Sequence, residues 1–437
     1  MPSSPSRSAS QPPYFVRLWQ GWSVWWRPWQ NIDWLLMGAV VSLLLIGVVS
    51  IYSIDFNKGE MNWLDHLLTA GVALITTLGI ARWRYDTLQA WHWYTYGATN
   101  LALVAVSLFG VTALGAQRWI QIGGFNVQPS EFAKVGVIVT IAALLNRRPA
   151  NNLLGIARVV GALILPMGLI LAQPNLGTAL VFVAITVGML YWANAHGGWI
   201  VLMISPLVSA IILGLALPYN LSLWLWLAWV VGMAILAWWC LPLGLTGAVG
   251  AGVLNLASGG LGQVLWNLLH DYQKDRITLF LNPDKDPLGG GYHLIQSRIA
   301  VGAGGLFGRG LNHGTQTQLG FIPEQHTDFI FSAIGEEFGL IGTFLVLVLF
   351  WFICLRIIQI ANSAADDFGS LIAIGMFAMI IFQVVINIGM TIGLSPVTGI
   401  PLPWLSYGRS SLMANAIALG LVQSVANFRP RQTNRRP

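Results

Sequence analysis

Charge is what this sequence has least of. Only 9% of its 437 residues are Asp, Glu, Lys or Arg, whereas a soluble domain carries about 25% because water must solvate its surface. A chain so poor in charge and 56% apolar is excluded from the soluble globular class, and lipid is the solvent for most of it. Cysteine is nearly absent too. Cys240 and Cys354 are the two present, both inside apolar stretches, which excludes a disulfide framework or a cysteine-rich metal centre. A clustered basic face is also missing, because the arginines are dispersed between apolar runs. The formal charge of +6 is therefore no nucleic-acid footprint and belongs to the positive-inside rule. The opening residues, MPSSPSRSASQPP, lack the apolar core of a signal peptide and read as a disordered cytoplasmic tail.

What the chain does have is long apolar runs. A spanning helix needs about 20 apolar residues, and candidate spans fall near 34–54, 62–81, 93–114, 131–146, 155–172, 176–193, 199–217, 221–241, 244–268, 328–358, 370–394 and 409–427. The expected fold is an all-α polytopic membrane protein of 10–12 transmembrane helices with a large extracytoplasmic loop. Arg82, Arg84, Arg147, Arg148, Arg158, Arg356, Arg429 and Arg431 fall on one side together with the N-terminal arginines. Lys58, Lys134, Lys274 and Lys285 fall on the other, mixed with carboxylates. That asymmetry places both termini in the cytoplasm and demands an even number of spans. Residues 1–32 are the cytoplasmic tail with an interfacial segment, since Trp19, Trp22, Trp25, Trp26 and Trp29 recur beside Arg17 and Arg27 as in headgroup-level anchors. Residues 33–427 form the transmembrane domain, and 428–437 a second cytoplasmic tail.

Three polar stretches share the outer side. In GAQRWIQIGGFNVQPSEFAK, residues 115–134, Glu131 and Lys134 stand three apart on one helix face. A surface ion pair is the plain reading, yet charges entering hydrocarbon usually face a protein interior or cavity. The connection 269–327 is far longer than a hairpin between spans, and such loops are functional or disordered. Leu294, Ile295, Ile299 and Val301 recur through it as a short amphipathic segment on the membrane. SPVTGIPLPWLSYGRSS, residues 395–411, breaks the helix between the last two spans, and irregular backbone at that depth survives only inside protein or along a wet cavity. QPNLGT, residues 173–178, ends the fifth span on the same side. Glu336 and Glu337 point about 100° apart on a helix. They are either hydrogen-bonded with one protonated, or paired with Lys134 or Arg298 around a cavity.

Taken in order, QRWI…QPSEFAK, QPNLGT, HDYQKDRI…DPLGGGYHLIQS, GTQTQLGFIPEQHTDFIFSAIGEEFGLIG and IPLPWLSYGRSS resemble the signature segments of the RodA/FtsW family, also called SEDS proteins. The resemblance covers about residues 35–427 and is nearer to RodA, of cell elongation and cell shape. It implies a peptidoglycan glycosyltransferase that polymerises lipid II into glycan strands at the outer face of the bacterial cytoplasmic membrane. It also implies a class B penicillin-binding protein as partner, within the elongation machinery. The essential aspartate of the family falls on Asp286. Functionally sensitive family positions fall on Arg118, Glu131, Lys134, His326, Thr327 and Asp328. Three departures stand out. Arg409 replaces the usual glycine of SYGGSS, Asn175 replaces a common aspartate, and residues 199–268 hold three spans where the family has one. An inserted helical hairpin accounts for the last and preserves sidedness.

The implied chemistry fits the residue types. A sugar hydroxyl is a poor nucleophile, and Asp286 is the candidate general base that takes its proton. The departing diphosphate gathers negative charge, for which Arg118, Lys134, Arg298 and Arg309 are candidate cations. Glu131, His326, Asp328, Ser406 and Ser410 complete the candidate headgroup contacts. Asp284 and Asp286 form a D-x-D pair that leaves room for Mg²⁺ or Mn²⁺, although two carboxylates alone make a poor closed site. Without the resemblance, Asp286-Pro287 is a plain turn. The rival readings are a lipid II flippase, which needs cations within the membrane, and a non-catalytic scaffold for the penicillin-binding protein.

Overall fold

Residues 29–113, 116–150, 152–216, 223–268, 274, 279–280, 286 and 291–429 are described in the computed structural model. The helices are α1 Trp34–Asp55, α2 Asn62–Arg82, α3 Thr87–Phe109, α4 Pro129–Arg147, α5 Leu153–Ala172, α6 Leu176–Trp192, α7 Gly197–Ala216, α8 Leu223–Cys240 and α9 Gly244–Leu268. They continue as α10 Tyr292–Ala303, α11 Thr315–Gln318, α12 Ile330–Asn362, α13 Asp367–Thr391 and α14 Arg409–Asn427. Setting aside the short α10 and α11, the long helices match the twelve expected spans one for one. Among the described residues, nine are long and apolar enough to cross a membrane. Of the remaining three, α6 has 17 residues, and α3 and α14 dilute their apolar residues with groups such as His92, Asn100, Asn415 and Gln423. Burial explains how α14 tolerates them. From Ser411 to Asn427 only Met413 and Ile417 escape full burial, so its polar groups meet protein rather than lipid.

The helices alternate in direction and define two faces. At the face carrying both ends of the described chain, the Asp33 carboxylate caps α1 by accepting from the Leu36 N–H (3.0 Å) and pairs with Arg356 of α12. Gln423 of α14 locks onto the same residue, accepting from the Asp33 N–H and donating to its carbonyl. Tyr85, Arg84 and Asp86 lie in the adjoining turn, where the Arg84 guanidinium holds the Asp86 carboxyl below the ordinary carboxylate range. The meander, the α5–α6 turn and the linker before α14 emerge at the opposite face, where they line one cavity. The tryptophan-rich segment before Trp29 lies outside the described residues.

Helices α7, α8 and α9 pack mainly on one another and join the body where α7 meets α6. Their cement is polar. The Asn255 amide donates to Ser205 (3.0 Å), Ser209 donates to the Asn255 carbonyl (2.7 Å), and the Trp226 indole donates to Ser209 (2.9 Å). Between helices surrounded by lipid, such bonds are part of what drives association. Residues 199–268 thus hold three helices, as the apolar content required.

Two features modify the expected all-α picture. Three strands form an antiparallel meander, β1 Val111–Ala113, β2 Ala116–Ile122 and β3 Phe125–Val127. Gly123 and Gly124 close the β2–β3 hairpin with φ of 55° and 84°, the two positive values that such a two-residue turn demands. Within the long connection, the apolar recurrence at Leu294–Val301 is the helix α10, which packs against α12 and α13. The other feature is a break in α12 at Gly339, where φ is 65°. Segment 304–310 inserts there. Arg309 and Gly310 donate to the carbonyls of Glu336 and Glu337 (2.9 and 3.0 Å), and Leu340 and Ile341 donate to those of Gly305 and Leu306 (2.9 and 3.2 Å). The freed backbone groups are satisfied by protein, the condition for a broken helix in lipid.

Candidate functional site

A cavity of about 470 Å³ opens at the face opposite the chain ends. Five elements build it. The meander contributes Arg118, Trp119 and Asn126, α4 with its cap Gln128 contributes Glu131 and Lys134, and α6 with its cap Asn175 contributes Thr178 and Val181. The segment before α12 brings Glu324, Thr327 and Asp328, and the linker 399–408 with the start of α14 brings Tyr407, Arg409, Ser410 and Ser411.

Each wall is held from behind. Pro129 opens α4 at a position where its missing N–H costs nothing, which places Glu131 in the first turn, a favourable site for a carboxylate. One turn on, Lys134 donates to Glu131 at 2.7 Å, with both side chains at most 5% exposed. Arg118 reaches from β2 to the α5–α6 turn and donates to the carbonyls of Gln173 (3.3 Å) and Pro174. Asn175 caps α6 by accepting from the Thr178 N–H (3.3 Å), a role that an amide fills as well as a carboxylate does. Ser410 accepts from the Gln128 N–H at 2.9 Å and ties α14 to α4. From α13, the buried Asn387 amide donates to the carbonyls of Asp328 (2.9 Å) and Ile400 (2.8 Å), joining the two irregular walls.

The rim carries a second ion pair. Arg409 grips Asp65 of α2 through Nε (2.8 Å) and Nη2 (2.7 Å), and its guanidinium lies 4.8 Å over the Phe125 ring. Tyr407 donates its O–H to Asp65 at 2.7 Å. Burial, then the neighbouring carboxylate, push that phenol up to about 12, so Tyr407 remains a donor at neutral pH.

The model for the FtsW, RodA and SpoVE family, described as cell cycle proteins, matches residues 33–222 and 219–431. The chain belongs to this family. It is 37% identical over 345 residues to the peptidoglycan glycosyltransferase MrdB of Escherichia coli strain K12, covering 78% of this chain and 79% of that one. It is 34% identical over 428 residues to the peptidoglycan glycosyltransferase RodA of Treponema pallidum, covering 90% and 97%. A solved chain from a peptidoglycan synthase complex, described as coordinating polymerization and crosslinking, superposes with a TM-score of 0.69 at 28% identity, covering 92% of this chain and all of that one. The present protein is thus a multi-span membrane protein of the RodA/FtsW family.

The residues expected from the family motifs and from the implied chemistry divide into three groups. Arg118, Glu131, Lys134, Asp328 and Ser410 line the cavity. His326 stands behind it, its ring 5.5 Å from that of Tyr407 and its carbonyl accepting the Tyr407 N–H at 2.8 Å. The others lie elsewhere. Ser406 is buried and accepts from the Leu402 N–H (2.8 Å), which makes it a brace within the linker. Arg298 is exposed on α10 and donates to the Gly393 carbonyl (3.0 Å). Arg309 is exposed and donates to the Ala303 carbonyl and to Thr315. Asp286 is exposed, its carbonyl accepting from the Gly291 N–H (3.1 Å), and it is not among the residues lining the cavity. Asp284 lies outside the described residues.

Of the two readings of Glu336 and Glu337, the hydrogen-bonded one is observed. Glu336 accepts from the N–H groups of Gln316 (2.9 Å) and Thr317 (2.8 Å) and from the Thr317 hydroxyl (2.7 Å). Glu337 accepts from Ser53 and Gln318. Neither pairs with Lys134 or Arg298, because Lys134 is taken by Glu131 and Arg298 faces the α13 end. Glu336 instead holds the turn at 315–318, whose Thr317 carbonyl receives the Gln325 amide (3.1 Å) beside the cavity wall. Asp65, Tyr407, Trp119 and Glu324 were not indicated by sequence. Only Arg409, as a departure from the motif, signalled the rim pair.

Proposed function

We propose that this protein is a peptidoglycan glycosyltransferase that polymerises lipid II into glycan strands during cell elongation and shape maintenance. The observation that carries the proposal is the polar cavity bearing Arg118, Lys134 and Arg409 at one membrane face, in a chain of this family. An apolar approach adjoins it. Helix α2 packs on α1 and α14, and α3 packs on α4 and α5, so α2 and α3 stand on either side of the α4–α14 seam. A polyprenyl chain lying in that seam keeps its tail in lipid and brings its headgroup to the cavity.

The reaction is a single displacement. The acceptor hydroxyl oxygen bonds to the anomeric carbon of the donor sugar, its proton passes to a carboxylate base, and the bond to diphosphate oxygen breaks with its electron pair. The family resemblance gives the base role to Asp286, which does not line the cavity in this structure and takes the proton at the cavity's edge in this reading. The configuration at the anomeric carbon inverts. A positioned base contributes about 10²–10⁴-fold. Fixed cations aimed at the diphosphate stabilise charge that grows only as the bond breaks, and Arg118 and Lys134 are best placed among the described residues. Glu131 orients Lys134. Among the described residues no cluster of three His, Cys, Asp or Glu side chains is present. A Mg²⁺ or Mn²⁺ ion would be held as ions of its kind usually are, through one or two carboxylates plus substrate phosphates, with Asp286 of the connection before α10 and its sequence neighbour Asp284 as the candidate protein ligands. There it would supply further charge to the leaving group.

The cavity faces the extracytoplasmic side in this reading, with both termini cytoplasmic. A cysteine near Asn220 then labels from outside and one near Gly244 from inside, whereas a ten-span chain gives neither pattern. A class B penicillin-binding protein cross-links the strands as partner. The purified protein, given lipid II, is expected to produce a ladder of glycan chains on a denaturing gel. No polymer with or without the partner would defeat the proposal. A flippase is disfavoured because the cavity's cations gather at one end of the bundle.

A further inference from the structure

We infer that Arg409, oriented by Asp65, is the specificity-determining cation that grips the diphosphate of a polyprenyl-linked substrate where it leaves the bilayer. The inference rests on the glycosyltransferase reading and adds Arg409 to the diphosphate contacts that it gives to Arg118 and Lys134.

Three observations converge on it. The first is place. Arg409 opens α14 and lines the cavity, while its partners Asp65 and Phe125 belong to α2 and to the meander that follows α3. The guanidinium therefore bridges the outer end of α2, on one side of the α4–α14 seam, to the meander that joins α3 to α4. The second is what lies below it. Met413 and Ile417 are the positions of α14 beyond Ser410 that are not fully buried. They follow Arg409 at i+4 and i+8, on the same helix face. A cation at the surface with an apolar stripe descending into the membrane complements an anionic headgroup on an apolar chain.

The third is orientation. Asp65 takes Nε and Nη2, two of the five N–H donors of a guanidinium, and Phe125 covers one flat side. Such a fork is pre-organised, which suits bidentate recognition of phosphate oxygens. Tyr407 holds Asp65 from the other side at 2.7 Å. Asp65 is accordingly a positioning residue, acting through Arg409.

Both a polyprenyl diphosphate and an anionic phospholipid share this chemistry, and the test separates them. The full chain in phosphatidylcholine nanodiscs is titrated with farnesyl diphosphate, and retention of phosphatidylglycerol is measured in parallel. Arg409→Ala is expected to weaken farnesyl diphosphate binding by about tenfold or more, the size of a charge-assisted hydrogen bond, with phosphatidylglycerol retention unchanged. Arg409→Lys keeps the charge and the contact to Asp65 but loses the fork. It is expected to bind several-fold more weakly than wild type, and it decides the matter if the alanine variant does not fold. Asp65→Asn should raise KM for lipid II and spare kcat, a split that a merely structural contact between α2 and α14 would not give. Unchanged diphosphate binding in both Arg409 variants, or an equal loss of phosphatidylglycerol, overturns the inference. If wild type fails to polymerise while Arg409 still governs diphosphate binding, the glycosyltransferase reading falls and the binding assignment stands.

Discussion

Asp286→Asn is expected to lower glycan polymerisation by at least about 100-fold, the smallest contribution ordinarily made by a positioned general base. The substitution keeps size and turn geometry and removes only the proton acceptor, and Asp286 is exposed, so folding and membrane insertion should be unaffected. Asp284→Asn, two residues away, should retain much more activity if one base does the work. Comparable loss in both variants points to a cation held by the pair, and added Mg²⁺ or Mn²⁺ should then restore part of the rate. Activity within about tenfold of wild type in Asp286→Asn would remove the base assignment, because that residue could not then supply the expected factor.

Lys134→Ala should be the next most damaging change, and for two reasons that can be separated. Its Nζ and the Glu131 carboxylate form a pair with almost no exposure. Removing one member of such a pair leaves an uncompensated buried charge, at a cost of about 3–5 kcal/mol. Replacing both by neutral groups of similar size, as in Glu131→Gln with Lys134→Met, avoids that penalty. The single variant is expected to lose both thermal stability and polymerisation, and the double variant to recover stability alone. A double variant that recovers activity as well would show that the pair only holds α4 in place. The cation on the diphosphate would then have to come from Arg118 or Arg409.

The spans were legible because lipid imposes one strong rule on sequence, a long apolar run for each crossing. Even the short run at 131–146 marked α4, and the excess apolar residues at 199–268 marked α7–α9. What escaped was structure that depends on distant partners. Strand alternation in QRWIQI is too brief to register against a helical background, yet the Gly123-Gly124 turn folds it into a meander. The break at Gly339 is set by segment 304–310 docking from outside the helix. Of the positions that the resemblance singled out, Arg118, Glu131, Lys134, Thr327 and Asp328 line the cavity, while His326 stands behind it and Asp286 is not among its lining residues. Residue chemistry added Ser410, which lines it, and Ser406, Arg298 and Arg309, which the fold places away from it. Motifs record which residues matter together and not which ones touch. Asp65 and Arg409 are 344 positions apart, and no local pattern joins them. For the same reason the sequence offered hydrogen bonding for Glu336 as one of two readings but did not name the donors, the N–H groups of Gln316 and Thr317 and the Thr317 hydroxyl.

A polymerase of this kind joins sugars at one membrane face, without carrying lipid II across. Proteoliposomes holding the purified protein, with lipid II confined to the leaflet that the cavity faces, test this directly. Glycan polymer is expected from that leaflet alone, with none when lipid II is confined to the other leaflet and none with Asp286→Asn. Lipid II that crosses the bilayer without being polymerised, or polymer that appears only when a partner synthase supplies the chemistry, would contradict the glycosyltransferase reading.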